Sequence, residues 1–167
     1  CRICLGNLQC RVNSILGSDS ASSYPSFFLM SQPVPTATLH FHSFGFKHNS
    51  VYEKFQLTGG FVVDCRALPN PYWVEELSAF SGKDQPIRKF FSEHDSVGNF
   101  IEATKNLLIA TVAAHQKKQL SDPFCMPVYF GCTGGKHRSV YIAESLSQIL
   151  IKSGYDCKLT HLDIEKE

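Results

Sequence analysis

At 167 residues the chain is long enough to form one domain with a sizeable buried core. Its composition, 43% hydrophobic and 19% charged, is that of an ordinary globular protein. A formal net charge of +1 excludes the broad basic field that drives non-specific nucleic-acid binding.

Residues 1–37 differ in texture from the rest. The runs SDSASSYPS and SQPVPT carry turn and linker chemistry, so the segment reads as a linker or irregular N-terminal stretch. Within it Phe27 to Met30 form an apolar island able to dock on the domain or add an edge strand. Cys1, Cys4 and Cys10 make a C-x2-C-x5-C cluster, but no second C-x2-C or H-x3-H follows nearby, so no metal site is expected. The other cysteines, Cys65, Cys125, Cys132 and Cys157, sit in or beside strand-like segments, where a free thiol behaves as a small hydrophobe. Seven cysteines is an odd number, no apolar run reaches the roughly 18 residues of a membrane span, and no signal peptide is recognisable. A reduced, cytoplasmic setting without a membrane partner is therefore expected. A first residue of Cys1 rather than Met points to a fragment, a processed form or one domain of a longer protein.

From Thr38 the pattern tightens. TLHFHSFGF alternates and is rich in β-formers, which predicts a strand ending at Gly45. After Gly59 and Gly60 a short apolar run predicts a buried, parallel strand from Phe61 to Arg66. Pro69 and Pro71 then forbid helix locally. A short helix is expected from Tyr72 to Phe80, and a second from Pro86 to Ser92 with proline at its start. The clearest helix runs from Ser96 to about His115, with Val97, Phe100, Ile101, Thr104, Leu107, Leu108, Thr111 and Val112 on one stripe. MPVYFGC is the next strand, a helix from about Arg138 to Lys152 follows, and YDCKLTHLD closes as a strand. Strands separated by helices predict a single α/β domain over residues 38–167, its parallel or mixed sheet flanked by helices. In such sheets ligands bind beyond the carboxyl ends of the strands.

The stretch YFGCTGGKHRSVYIAESL joins strand to helix through a loop of unusual make-up. Gly134 and Gly135 let the backbone fold tightly with its amides turned inward, and the amides at the start of the next helix point at the same spot. Lys136, His137 and Arg138 add positive charge, and an arginine can grip a phosphate with two parallel hydrogen bonds. These features predict a phosphate cradle, the plain alternative being a glycine-rich turn with exposed basic residues. It is not a Walker A loop, because GGKHRS lacks the G-x4-G-K-[ST] spacing. The run from Cys132 through Arg138 to Ser139 also has the C-x5-R-S spacing of cysteine-dependent phosphatases, in which a thiolate attacks the held phosphate. Gly131 stands where such enzymes usually carry histidine, and only Asp64 offers itself as general acid, so catalysis by Cys132, Arg138 and Asp64 is the alternative reading.

Two other strand ends supply the rest of a pocket. Ser43, Gly45, Lys47 and His48 form a turn able to donate to an anion. His40 and His42 face one side of their strand, as a metal pair or, more commonly, as structural histidines. Asp64 and Arg66 share a strand face, where they can accept from ligand hydroxyls and grip phosphate, or simply pair with each other. Asn70, Tyr72 and Trp73 can line a platform the size of a sugar or base, although Trp73 fits equally as the anchor of its helix.

The runs SFGFKH, VVDCRALPNPYW and GCTGGKHRSVYIAESL, in that order, resemble the C-terminal domain of the RapZ family of RNase adapter proteins, over roughly Thr38 to Leu162. Family proteins carry a P-loop nucleotide-binding domain ahead of this one. Residues 1–37 do not resemble it, so nucleotide hydrolysis is not carried over and a link to another domain is expected. The resemblance implies a regulatory sensing module for a phosphorylated amino sugar, glucosamine 6-phosphate, with a nucleotide as the second ligand class. In bacteria it also implies binding of small RNA and an endoribonuclease. It further implies that Cys132, Thr133, Gly134, Gly135, Lys136, His137, Arg138 and Ser139 cradle the phosphate. Ser43, Gly45, Lys47 and His48 close the pocket, with Asp64 and Arg66 beside them. The family's RNA contact relies on a basic cluster near the C-terminus. This chain ends KLTHLDIEKE, where Lys158 and Lys166 stand against Asp163, Glu165 and Glu167, so RNA stays a partner without its expected contact surface. No cofactor or metal is implied, and an oligomer is left open.

Overall fold

The computed structural model of the chain describes residues 37–48, 59–117 and 124–166, all within one unit, Gln32–Glu167. The expected linker up to residue 36, with Cys1, Cys4, Cys10 and the Phe27–Met30 island, lies outside them. Four strands are present among the described residues: β1 (Thr38–Gly45), β2 (Phe61–Asp64), β3 (Cys125–Cys132) and β4 (Asp156–His161). Three α-helices accompany them among the described residues: α1 (Gln85–Ser92), α2 (Asp95–Lys117) and α3 (Arg138–Lys152). All pairings are parallel, in the order β2-β3-β1-β4.

That order positions the site. From β1 the chain passes beyond β3 to reach β2, whereas from β3 it passes beyond β1 to reach β4. The two central neighbours thus send their connections in opposite directions, which opens a crevice at their carboxyl ends. Gly45 and Cys132 stand opposite each other at the last step of the β1–β3 register.

Alternation sets the core. Leu39 and Phe41 of β1 and Met126, Val128 and Phe130 of β3 point to the side packed by Ile87, Phe91, Val97, Leu108, Val112, Ile142, Leu146 and Leu150 of the helices. Phe41 and Phe130 meet edge to face, 5.4 Å between ring centres, and both are fully buried. Burying each stabilises the fold by about 1.5–3 kcal/mol. The stripe expected on α2 is narrower than its sequence suggests. Val97, Thr104, Leu108 and Val112 are buried, but Leu107 is 48% exposed. On the opposite sheet face Phe44 and Tyr129 form a smaller cluster, and His42 stacks on Tyr129 at 5.1 Å. Histidine packing on an aromatic ring is the structural reading of His42; burial, and then the neighbouring His40, lowers its pKa.

Two expectations are corrected. The strand predicted to reach Arg66 stops at Asp64, because the Asp64 carboxylate accepts the amide N–H of Arg66 at 2.9 Å and turns Cys65–Ala67 into a 3-10 turn. The helix predicted over Tyr72 to Phe80 is instead two 3-10 turns, Pro71–Trp73 and Glu75–Leu77. Asn70 accepts from the Tyr72 amide through its side chain, and Val74 between the turns is extended, at φ −99° and ψ 111°. Both devices divert the backbone from the i to i−4 ladder.

Candidate phosphate-binding site

The glycine loop is built against β1. Gly135 has φ +77°, and a Cβ there would lie 2.7 Å from the Gly45 nitrogen and 2.8 Å from the Asp163 Cβ. A Cβ on Gly45 would strike the Gly134 carbonyl carbon at 2.7 Å. Backbone therefore packs on backbone, and the Lys47 amide donates to the Thr133 carbonyl at 3.2 Å to close the contact. Gly134 is different. Its backbone is not left-handed, and an added Cβ would meet only Lys47 Cε, at an ordinary 3.8 Å.

Cys132 ends β3 beneath the loop, 2% exposed. Its Sγ accepts the Gly135 amide N–H at 3.2 Å and lies 3.2 Å from Ser139 Oγ. The Gly135 amide is thus committed to sulfur. Among the described residues, no main-chain carbonyl accepts the amides of Gly134, Lys136, His137, Arg138 or Ser139, as befits a bent loop and a helix start.

Arg138 opens α3 with its guanidinium buried. One terminal nitrogen donates to the carbonyls of Arg66 (2.9 Å) and Leu68 (3.5 Å), and the other to Thr133 Oγ1 (3.4 Å). It ties the β2 exit to the glycine loop, and its Nε is buried without a partner. The sequence reading of a bidentate phosphate grip therefore meets a side chain whose terminal nitrogens already hold protein oxygens. His137, 8% exposed, likewise keeps a buried, partnerless Nε2. Burial and then the Lys136 charge lower its pKa, partly opposed by the carbonyls of Ser78 and Phe80, so the ring is neutral at pH 7.

Above these groups lies a pocket of about 490 Å³. Lys47, Cys132, Thr133, Gly134, Lys136, His137 and Arg138 line it, all expected from sequence, together with Asn70, Tyr72 and Trp73 of the aromatic platform. Trp73 is 81% exposed, so it faces the pocket mouth and is not the anchor of its turn; the buried residue there is Pro71. Lys47, Lys136 and Lys166 bring ammonium groups, and among the described lining residues there is no carboxylate. Gly45, Gly135 and Ser139 support the loop from behind without lining the pocket.

Other expected residues stand apart. Ser43 is fully buried, its Oγ 2.7 Å from His161 Nδ1, and His161 Nε2 reaches Glu144 at 3.3 Å. His48 packs its ring edge toward Gly45 and does not line the pocket. Asp64 and Arg66 pair with each other at 2.6 Å, both half exposed, and the Arg66 guanidinium lies 4.3 Å over Phe46. Hydrogen bonds from Arg66 lower the Asp64 pKa. The mutual salt bridge, one of the two readings of this pair, is the arrangement found, and neither residue lines the pocket.

Sequence reasoning passed over Asp163 and Lys166, reading them only as opposed charges at the terminus. Asp163 is fully buried; its Oδ2 accepts the Gly45 amide N–H at 2.8 Å, and its Oδ1 lies 2.8 Å from the Lys166 ammonium. Their position just past the carboxyl end of β4 was the available signal. Ser78, also on the lining, had none.

Residues 37–165 match the RapZ C-terminal domain family. The chain is 36% identical over 139 residues to a nucleotide-binding protein of Mannheimia succiniciproducens, covering 83% of this chain and 45% of that protein. It is 42% identical over 128 residues to a nucleotide-binding protein of Pseudothermotoga lettingae, covering 77% and 43% of the two chains. With the RNase adapter protein RapZ of Escherichia coli it shares 38% identity over 129 residues, again 77% and 43%. The chain thus spans less than half the length of these relatives. A match over three-quarters of the sequence places it: the chain belongs to the RapZ C-terminal domain family.

Proposed function

We propose that this domain is a regulatory module that binds and senses a phosphorylated small molecule, a phosphorylated amino sugar such as glucosamine 6-phosphate being the first ligand to test and a nucleotide the second. The observation that carries the reading is the pocket floor. Loop amides without main-chain acceptors and three lysines meet there beside His137 and Arg138, with no carboxylate among the described lining residues. Such a donor-rich, acceptor-poor concavity stabilises an anion. The names of the relatives, nucleotide-binding protein and RNase adapter protein, support a regulatory adapter role. Glucosamine 6-phosphate at about a hundred times its Kd adds about 2.7 kcal/mol of stability, a rise in Tm of a few degrees. No stabilisation by any phosphorylated sugar or nucleotide overturns the proposal.

The Cys132 sulfur at the base of the loop, accepting the Gly135 amide, also favours a second reading as a cysteine phosphatase. Asp64, the candidate acid, is bound to Arg66 and does not line the pocket, which favours holding the ligand over cleaving it. Turnover of para-nitrophenyl phosphate that disappears in Cys132→Ser would establish the enzyme; a flat trace with the wild-type protein disposes of it.

A further inference from the structure

We infer that Lys166 is a ligand-contacting residue of this pocket and that the buried Asp163 is its positioning residue, so that the segment after β4 completes the anion site. The inference rests on the phosphate-ligand reading above and adds residues to it. The Lys166 side chain is 45% exposed and lines the pocket with Lys47 and Gly134, while its ammonium is held 2.8 Å from Asp163 Oδ1. Asp163 itself is fixed at two further points: its Oδ2 takes the Gly45 amide N–H at 2.8 Å, and its Cβ abuts the place a Gly135 side chain would occupy. One carboxylate thereby gathers the end of β1, the glycine loop and the terminal lysine.

The charge arrangement gives the pair its sense. A fully buried carboxylate directly behind the loop would repel an incoming phosphate, and a buried charge is tolerated only when compensated. Lys166 compensates Asp163 from the pocket wall, and an ammonium carries three donors, so the same group can serve carboxylate and ligand. The ligand phosphate then completes a chain from Gly45 through Asp163 and Lys166 to the anion. His137 and Arg138 stand on the same lining.

The test removes both charges at once. Asp163→Asn/Lys166→Gln leaves the net charge unchanged and retains an amide oxygen for the Gly45 N–H, so the fold is kept. Any loss of affinity then reflects the missing ammonium contact. Binding of inorganic phosphate and of glucosamine 6-phosphate is followed through Trp73, the chain's only tryptophan, which lines the pocket. A charged hydrogen bond lost at the ligand weakens binding about ten- to a hundredfold, and Lys166→Arg should stay within a few-fold of wild type. Asp163→Asn alone should weaken wild-type binding but not that of Lys166→Gln, because only repulsion is then left to remove. Lys166→Gln that binds like wild type overturns the role of Lys166, since the lost contact and the uncompensated Asp163 charge both act against the anion. Asp163→Asn acting equally in both backgrounds overturns the role of Asp163. Wild-type protein that binds neither probe overturns the parent reading and this one together.

Discussion

The backbone nitrogen of Gly45 and the place where a Gly135 side chain would begin are only 2.7 Å apart, and Gly135 sits at φ +77°. Gly135→Ala therefore meets both a left-handed backbone and a clash with main chain. The expected loss is about 2 kcal/mol or more, measured by urea denaturation. Gly134→Ala is the control, since the free protein has room for its methyl group. Its stability should stay within about 0.5 kcal/mol of wild type. On the proposed phosphate-binding reading, ligand affinity should nevertheless fall, because Gly134 lines the pocket and its methyl group would crowd the anion. A Gly134→Ala protein with intact binding would remove Gly134 from the site.

Arg138→Ala should do two things at once. It leaves the Arg66 and Leu68 carbonyls without their donor and separates the β2 exit from the glycine loop. A destabilisation of about 1.5–3 kcal/mol is expected from the charged hydrogen bonds alone. The ligand-induced rise in Tm should disappear as well. Lysine cannot span the same acceptors in one plane, so Arg138→Lys should rescue neither.

Trp73 separates ligand binding from folding in the other direction. At 81% exposure it adds little to the core, and Trp73→Ala should change stability by no more than about 0.5 kcal/mol. If its ring covers the sugar or base of a bound ligand, titration calorimetry should show affinity falling about threefold to a hundredfold, as for other stacked rings.

Histidine burial predicts a pH profile. Burial is the largest cause holding His42, His137 and His161 below the ordinary 6.5. In the unfolded chain each takes up its proton as the pH falls through 6.5, before the folded form does. The unfolded state then binds more protons, so stability is full above 6.5 and declines below it. The decline continues until each folded-state histidine is itself protonated. Thermal melts from pH 8 to pH 5 should show Tm falling on the acid side, and His137→Gln should reduce the slope.

Ser43→Ala tests whether this serine is structural. Its hydroxyl is fully buried, away from the pocket lining, and 2.7 Å from the His161 ring. The substitution strips a part-buried imidazole nitrogen of its partner, at about 1–3 kcal/mol. Affinity for the phosphosugar should be unchanged in the folded variant, and a specific loss of binding would return Ser43 to the site.

The α/β class, the four strands and the helix at Arg138–Lys152 were legible in the sequence because alternation and three-and-four spacing are local properties of the chain. So was the cradle's composition, since a loop's glycines and cations lie side by side. What each polar group touches depends on residues far away in sequence. Arg138 reads as a free phosphate grip until the carbonyls of Arg66 and Leu68, about seventy positions earlier, are seen to occupy its terminal nitrogens. Asp163 reads as one acid in a mixed terminus until the Gly45 amide, 118 positions away, is found on its carboxylate. Local pattern determined which elements form. Only the parallel register, which sets Gly45 opposite Cys132 and brings the chain after β4 to the same edge, decided which charges share one pocket, because hydrogen-bond partners follow spatial proximity and not order along the chain.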